Sequence, residues 1–324
     1  LATQHFESFI KYFKHTGINI GLITGSGCRK FPSKVASSSL HGGWTDISRS
    51  QLLKWVANGE IPILIGTHTL IQKSVAFKHL AMVVIDEQHR FGTLQRGKLA
   101  KKESTSWQIL PHLLSMTATP IPRTLALTIY GDLDLTLLDE MPEGRKQIIT
   151  EIVTPDKRKI VYEKVRQEME QGRQLYVICA RINDADPDKE LALNLKSVTS
   201  EARRLKKEIF PEYNIGILHS KMSKQKKEEV MKDFYQKKID VLVATSVVEV
   251  GVNVPNATMI IIEGAERFGL SQLHQLRGRV IRSTHQAYCY VFAETKTQKT
   301  LDRLKALKTA KNGFELSELD LALS

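Results

Sequence analysis

The stretch Val83-Val84-Ile85-Asp86-Glu87-Gln88-His89-Arg90-Phe91-Gly92 decides how the rest of the chain is read. A short, wholly apolar run that ends in charge is the mark of a strand buried on both faces, as in a parallel sheet. Open parallel sheets bind ligands beyond the carboxyl ends of their strands, and Asp86 and Glu87 stand at such an end. Two neighbouring carboxylates there can divide the work. Asp86 can hold Mg²⁺ through water, while Glu87 orients and deprotonates the water that attacks a γ-phosphate. A bare Asp-Glu pair is more often an acidic turn; the adjoining Gln88-His89 moves the balance toward chemistry.

Working outward, similar apolar runs lie at 18–23, 61–65 and 110–116 in the first half, and at 175–179, 215–218, 241–244 and 259–262 in the second. Helical pattern separates them, at 48–57, 156–171, 191–209 and 223–236. The alternation predicts an α/β fold with two domains, each a mainly parallel sheet with helices on both faces. At 324 residues the chain is long enough for two domains of roughly 150 residues each. Met141-Pro142-Glu143-Gly144 interrupts the pattern and punctuates the join. The expected division is a first domain over 1–137, a linker over 138–157, a second domain over 158–296 and a charged helical segment over 297–324.

Three further strand ends carry small polar residues. Gly66-Thr67-His68 offers a hydroxyl, a ring and main-chain donors suited to a nucleic-acid backbone. Thr117-Ala118-Thr119 could hydrogen-bond the carboxylate loop, with Pro122 suited to the first turn of a following helix. Thr245 and Ser246 end the run at 241–244 and lead to Gly251, where backbone can approach a ligand. Downstream, Gln275, Arg279 and Arg282 stand on a helical pattern, with Arg279 and Arg282 three apart and so on one face. Paired guanidinium groups suit a phosphate whose charge grows in a transition state. Alone, each of these is more often plain surface or turn.

The formal charge is +12. Residues 1–150 hold 17 Lys+Arg against 11 Asp+Glu, or +6, which leaves +6 for the remainder, so the excess is no basic tail. A cleft between two such halves would attract a polyanion. No apolar run approaches the ~20 residues needed to cross a bilayer, and Leu1-Ala2-Thr3-Gln4-His5 has no signal-peptide pattern. The expectation is a soluble cytoplasmic protein without membrane contact. Cys28, Cys179 and Cys289 are too far apart in sequence for a CxxC metal or redox pair.

Taken in order, Gly66-Thr67-His68, Asp86-Glu87-Gln88-His89, Thr117-Ala118-Thr119, the 244–255 segment and Gln275-x-x-Gly278-Arg279-x-x-Arg282 resemble the motifs of superfamily-2 helicase motors. Five clusters in this order are far more specific than any one. The stretches 86–92, 116–124 and 266–279 look like the RecG family, bacterial helicases that remodel stalled replication forks. The resemblance implies two RecA-like domains with ATP and Mg²⁺ between them, in a monomeric motor acting on branched double-stranded DNA in repair and recombination. It makes Asp86 and Glu87 the Mg²⁺ and water residues. Gln88, His89, Thr117, Thr119 and Gly251 would couple hydrolysis to movement. Gln275 would reach the nucleotide with Arg279 and Arg282 as arginine fingers, and Thr67, His68 and Thr245 would touch DNA.

The departures are equally specific. No GxxxxGK[ST] phosphate-binding loop occurs in the 324 residues; Gly25-Ser26-Gly27-Cys28-Arg29-Lys30 has the wrong spacing. The family carries that loop just upstream of the segment matching Leu1-Ala2-Thr3-Gln4-His5, so the expectation is a truncated start that also lacks the junction wedge domain. Asn312-Gly313-Phe314-Glu315-Leu316 resembles the start of the family's translocation hairpin, again cut short. Ile281 replaces a residue that is usually Gly in the family, which bears on Arg282. Two alternatives stay open. Transcription–repair coupling translocases share this motor, although Gln88-His89 and Gly264-Ala265-Glu266-Arg267-Phe268-Gly269 favour RecG. A motor remnant that binds DNA or nucleotide without hydrolysis is the second, supported by the missing loop.

Overall fold

The structure, a computed structural model, describes residues 1–33, 43–72, 74–86, 111–117, 134, 136, 138, 146–180, 197–219, 221–245, 254–280, 285–294, 298–310 and 313–323. They form two compact units, Leu1–Ala118 and Thr119–Ser324.

In the second unit, strands β7 (Ile149–Val153), β8 (Gln174–Cys179), β9 (Ile215–Leu218), β10 (Val241–Thr245), β11 (Ala257–Glu263) and β12 (Tyr288–Phe292) form one sheet. Their order is β7-β12-β11-β8-β10-β9, and neighbours run parallel throughout. Side chains alternate across a strand, so each strand feeds two cores. Leu175, Val177 and Cys179 meet Val161 and Val165 of helix α3 (Arg158–Glu170) and Val198 and Ala202 of the helix at 197–204. Tyr176 and Ile178 meet Phe234 of α5 (Lys224–Tyr235), Leu273 of α6 (Leu270–Arg277), Leu304 of α7 (Gln298–Thr309) and Leu316 of α8 (Gly313–Leu323). The helix at 197–204, numbered α4, ends in a π-helical turn, Leu205–Ile209. A fully buried Leu or Ile contributes roughly 1.5–3 kcal/mol, so burial on both faces explains why continuous apolar runs became central strands.

One expectation needs correction. Residues 138–157 were expected as linker, yet Ile149–Val153 is an edge strand paired with β12. Its Glu151, on the partly exposed face of the edge strand, and the buried Thr150 break the apolar run. The segment over 297–324 is helical, forming α7 and α8, which contribute buried residues to the second unit's core.

In the first unit, β1 (Ile20–Thr24) pairs in parallel with β4 (Ile63–Gly66), and β5 (Met82–Ile85) in parallel with β6 (His112–Ser115). The mainly parallel sheet expected here is mixed in its four-stranded part, of order β3-β2-β1-β4. Gly25-Ser26 turns the chain back, so that β2 (Gly27–Phe31) and β3 (Thr45–Ile47) add antiparallel to β1. Gly27 takes φ 145° at that turn, a conformation open chiefly to glycine. Helix α1 (Ala2–Phe13) packs Phe6 with Ile20 and Leu22; α2 (Arg49–Ala57) packs Leu52 and Val56 with Ile23. Ser48 caps α2 by accepting the Gln51 N–H at 3.3 Å.

Candidate functional site

Strands β5 and β6 pair with Ile85 opposite Ser115, and the Met116 N–H donates to Ile85 O at 2.8 Å. Because the pair is parallel, Asp86 and Thr117 both follow the carboxyl ends of adjacent strands, Asp86 level with Met116 and half-buried, Thr117 one residue further and exposed. Asp86 Oδ2 lies 3.0 Å from His5 Nε2 on α1. His5 was not among the residues singled out from sequence. Nothing local marks it, and only folding brings it to a carboxylate 81 residues away.

Among the described residues no group of three or more His, Cys, Asp or Glu could hold a metal ion. Mg²⁺ in nucleotide sites takes one or two carboxylates and draws its remaining ligands from phosphates and water. Glu87, Gln88, His89 and Thr119 lie outside the described residues.

At the end of β4, Gly66 approaches β1 closely: a Cβ there would stand 2.7 Å from Ile23 Cγ2 and from Ile23 O. Glycine lets the chain enter a 3₁₀ turn, His68–Ile71, that Thr69 Oγ1 ties back to Ile23 O at 3.4 Å. Thr67, exposed and extended, precedes that turn. The register Ile23↔Gly66 puts Thr24 and Thr67 at neighbouring strand ends. Thr24 Oγ1 is taken up in its own turn, donating to Gly27 O at 3.1 Å, whereas Thr67 is exposed; the His68 side chain lies outside the described residues.

In the second unit the αL residue Gly264 (φ 62°) turns the chain after β11, and a 3₁₀ turn, Ala265–Arg267, leads to α6. Helix α6 buries Leu270 and Leu273 and leaves Gln275 half-buried. Arg279 was expected on the same helix but lies in a 3₁₀ turn, Gly278–Val280, because α6 ends at Arg277 with Gly278 as its cap. Arg282 and Gly251 lie outside the described residues. Thr245, expected to touch DNA, ends β10 opposite Cys179 and is 4% exposed.

Arg277, which sequence reasoning passed over, faces inward. It donates to Leu307 O of α7 at 2.6 Å and to His274 Nδ1 at 3.0 Å. Burial, then the neighbouring Arg277 charge, pushes the His274 pKa down to about 4, which keeps the ring neutral and Nδ1 an acceptor. At the end of β9, burial followed by Lys227, Lys221 and Lys226 lowers the pKa of His219, so that ring too favours its neutral form. No helix among the described residues is long and apolar enough to cross a membrane.

Comparison with known proteins matches residues 1–128 to the DEAD/DEAH box helicase family and residues 156–284 to the helicase conserved C-terminal domain. The ATP-dependent DNA helicase RecG of Synechocystis sp. is 43% identical over 323 residues, covering 100% of this chain and 36% of that protein. The Bacillus subtilis RecG is 44% identical over 324 residues, covering 100% and 43%. The chain therefore spans less than half the length of these curated relatives. Among solved structures, RecG bound to a three-way DNA junction aligns with a TM-score of 0.72 at 37% identity, over 99% of this chain and 38% of that one. Saccharomyces cerevisiae Dbp5 L327V, bound to RNA and ADP BeF3, aligns with a TM-score of 0.57 at 16% identity over 99% of this chain and 77% of that one, a likeness of fold.

Proposed function

We propose that this chain is a helicase motor of the RecG type, the ATP-driven part of a translocase that remodels branched double-stranded DNA in repair and recombination; its likeness to the DEAD/DEAH box helicases over 1–128, to the helicase C-terminal domain over 156–284 and to RecG over its whole length supports this. The observation that carries this reading is RecG likeness over the whole chain, joined to Asp86 at a strand end beside Thr117. The chemistry is phosphoryl transfer to water, in which positioning and charge stabilisation do most of the work.

In this reading Asp86 would hold Mg²⁺ through water, with His5 orienting the carboxylate, and the ion would supply charge neutralisation for the phosphate oxygens of bound ATP. Glu87 takes the proton of the attacking water. Gln275, Arg279 and Arg282 answer the charge that grows on the γ-phosphate. Gln88, His89, Thr117, Thr119 and Gly251 link phosphate state to movement. Thr67 and His68 hold the DNA backbone. The motor works as a single chain, in the cytoplasm where its DNA substrate lies.

The 324 residues contain no GxxxxGK[ST] sequence, so they lack the lysine and amide cradle that holds β- and γ-phosphates. By themselves they bind DNA without sustained hydrolysis. The test places these residues behind a phosphate-binding loop and measures ATP hydrolysis with no DNA, linear duplex and three-way junction. Stimulation greatest with the junction is the expected result. Hydrolysis indifferent to DNA refutes the proposal.

A further inference from the structure

At the carboxyl ends of β8, β11 and β12 stands a group of charged side chains that the nucleotide and DNA assignments leave unused. Arg158 opens α3, Glu201 and Arg204 lie on α4, Glu263 ends β11 and Glu294 comes just after β12. Arg204 is fully engaged: its Nη2 and Nε meet Glu201 Oε1 and Oε2 at 2.6 and 3.0 Å, and Nη2 donates to the Tyr162 hydroxyl at 2.8 Å.

Glu263 is placed differently. Its Oε2 lies 3.5 Å from Arg158 Nη2 and its Oε1 3.7 Å from Arg204 Nη2, close to both guanidinium groups. Yet Glu263 Oε1 and the Nε and Nη2 of Arg158 are buried with no hydrogen-bond partner among the described residues. Arg158 instead lies over the Phe292 ring at 4.9 Å, with Glu294 3.8 Å away. Burial, then the Glu201 charge, pushes the Glu263 pKa up to about 7; Arg158 and Arg204 oppose the shift and Glu294 adds a little to it. The charge is thus held in place at a cost.

Glu263 also stands at the root of the segment that carries the nucleotide-facing residues. Its neighbour Gly264 adopts the αL conformation, where an added Cβ would meet Ala180 Cβ at 3.5 Å. One 3₁₀ turn later α6 begins, and it leads to Gln275 and Arg279.

We propose that Glu263, held between Arg158 and Arg204, is a positioning residue that anchors the start of α6 and so sets where Gln275 and Arg279 present themselves to the nucleotide. The consequence for turnover rests on the helicase reading above; the anchoring itself does not. Removing the carboxylate leaves the half-buried Arg158 only Glu294, at 3.8 Å, and removing Arg158 leaves the carboxylate only Arg204, at 3.7 Å. Each single change unbalances the group, and removing both leaves neither without its nearer partner.

The test uses Glu263→Gln, Arg158→Gln and the double variant in two measurements. Hydrogen exchange of the 324-residue chain reads the backbone amides of 264–277. Each single variant is expected to speed exchange there while the β8 and β10 amides stay protected, and the double variant is expected to recover protection. Placed behind a phosphate-binding loop, each single variant lowers kcat for DNA-stimulated ATP hydrolysis by roughly tenfold or more, as displaced catalytic groups do. The ATP KM and DNA affinity stay put, and the double variant regains much of the loss.

Unchanged exchange at 264–277, or exchange that rises evenly over the whole unit, overturns the proposal. So does a double variant as impaired as the two singles added together. If the unsubstituted protein shows no DNA-stimulated hydrolysis, the helicase reading fails, and exchange at 264–277 still decides the anchor. Wild-type kcat in both singles, with altered exchange, overturns the link from anchor to nucleotide.

Discussion

His5 Nε2 and Asp86 Oδ2 stand 3.0 Å apart, which joins the first helix to the carboxylate at the end of β5. The contact binds α1, whose other face packs Phe6 on β1, to the side chain expected to hold Mg²⁺. It fixes a rotamer without removing the carboxylate from water, since both side chains remain partly exposed.

His5→Ala should therefore disturb chemistry more than folding. A partly exposed pair of this kind is worth roughly 0–1 kcal/mol, so the melting temperature of the chain should move by only a few degrees. Behind a phosphate-binding loop, the variant should need more Mg²⁺ for half-maximal hydrolysis. An unchanged Mg²⁺ titration would remove His5 from the site.

Glu87→Gln keeps shape and removes the proton acceptor. In the loop-bearing protein, nucleotide binding should persist while turnover collapses. Arg279→Ala should cost roughly 10³–10⁵ in rate if it acts as an arginine finger. Single-turnover hydrolysis read beside nucleotide affinity separates the two effects, and undiminished turnover in either variant would end that residue's assignment.

DNA binding should be nearly independent of sequence and should weaken steeply with salt, because phosphate contacts release counterions. Thr67→Ala should weaken binding evenly across sequences. Gly66→Ala should do more, since its Cβ would press on Ile23 at 2.7 Å and overpacking costs roughly 1–3 kcal/mol. Fluorescence anisotropy from low to physiological salt and a thermal melt check both. A strong preference for one base sequence would count against a motor that tracks the backbone.

The raised Glu263 pKa has a fixed sign. The folded unit holds this proton up to about pH 7, and the ordinary carboxyl value is 4.5. This group's contribution to stability is therefore fully present below 4.5, falls as pH rises toward about 7 and is flat above. Glu263→Gln removes that fall. Its stability relative to the unsubstituted chain should rise with pH between those limits, by roughly 1.4 kcal/mol per unit at most. Urea melts at several pH values check it, and a difference that shrinks as pH rises would contradict it.

Unbroken apolar runs were legible in the sequence wherever they lay in a sheet. Val241–Thr245, a central strand, and Ile215–Leu218, at the sheet's edge, were found almost to the residue. Strands whose runs are broken or very short were not, and the central Tyr288–Phe292 was passed over with them. Ile149–Val153 carries Thr and Glu in its middle, and Thr45–Ile47 is three residues joined to β2. Neither pattern differs from a loop until a partner strand is present.

The site divides along the same line. Sequence by itself determined which motifs occur and in what order, and so which chemistry the residues suit, because each motif is local and sits at the end of an apolar run. Tertiary structure decided the partners. It took His5 to Asp86, closed Thr245 into a strand end, ended α6 before Arg279, and seated Glu263 between Arg158 and Arg204. Those contacts join residues far apart in the chain, and their geometry comes from packing and strand register, which no single stretch of sequence contains.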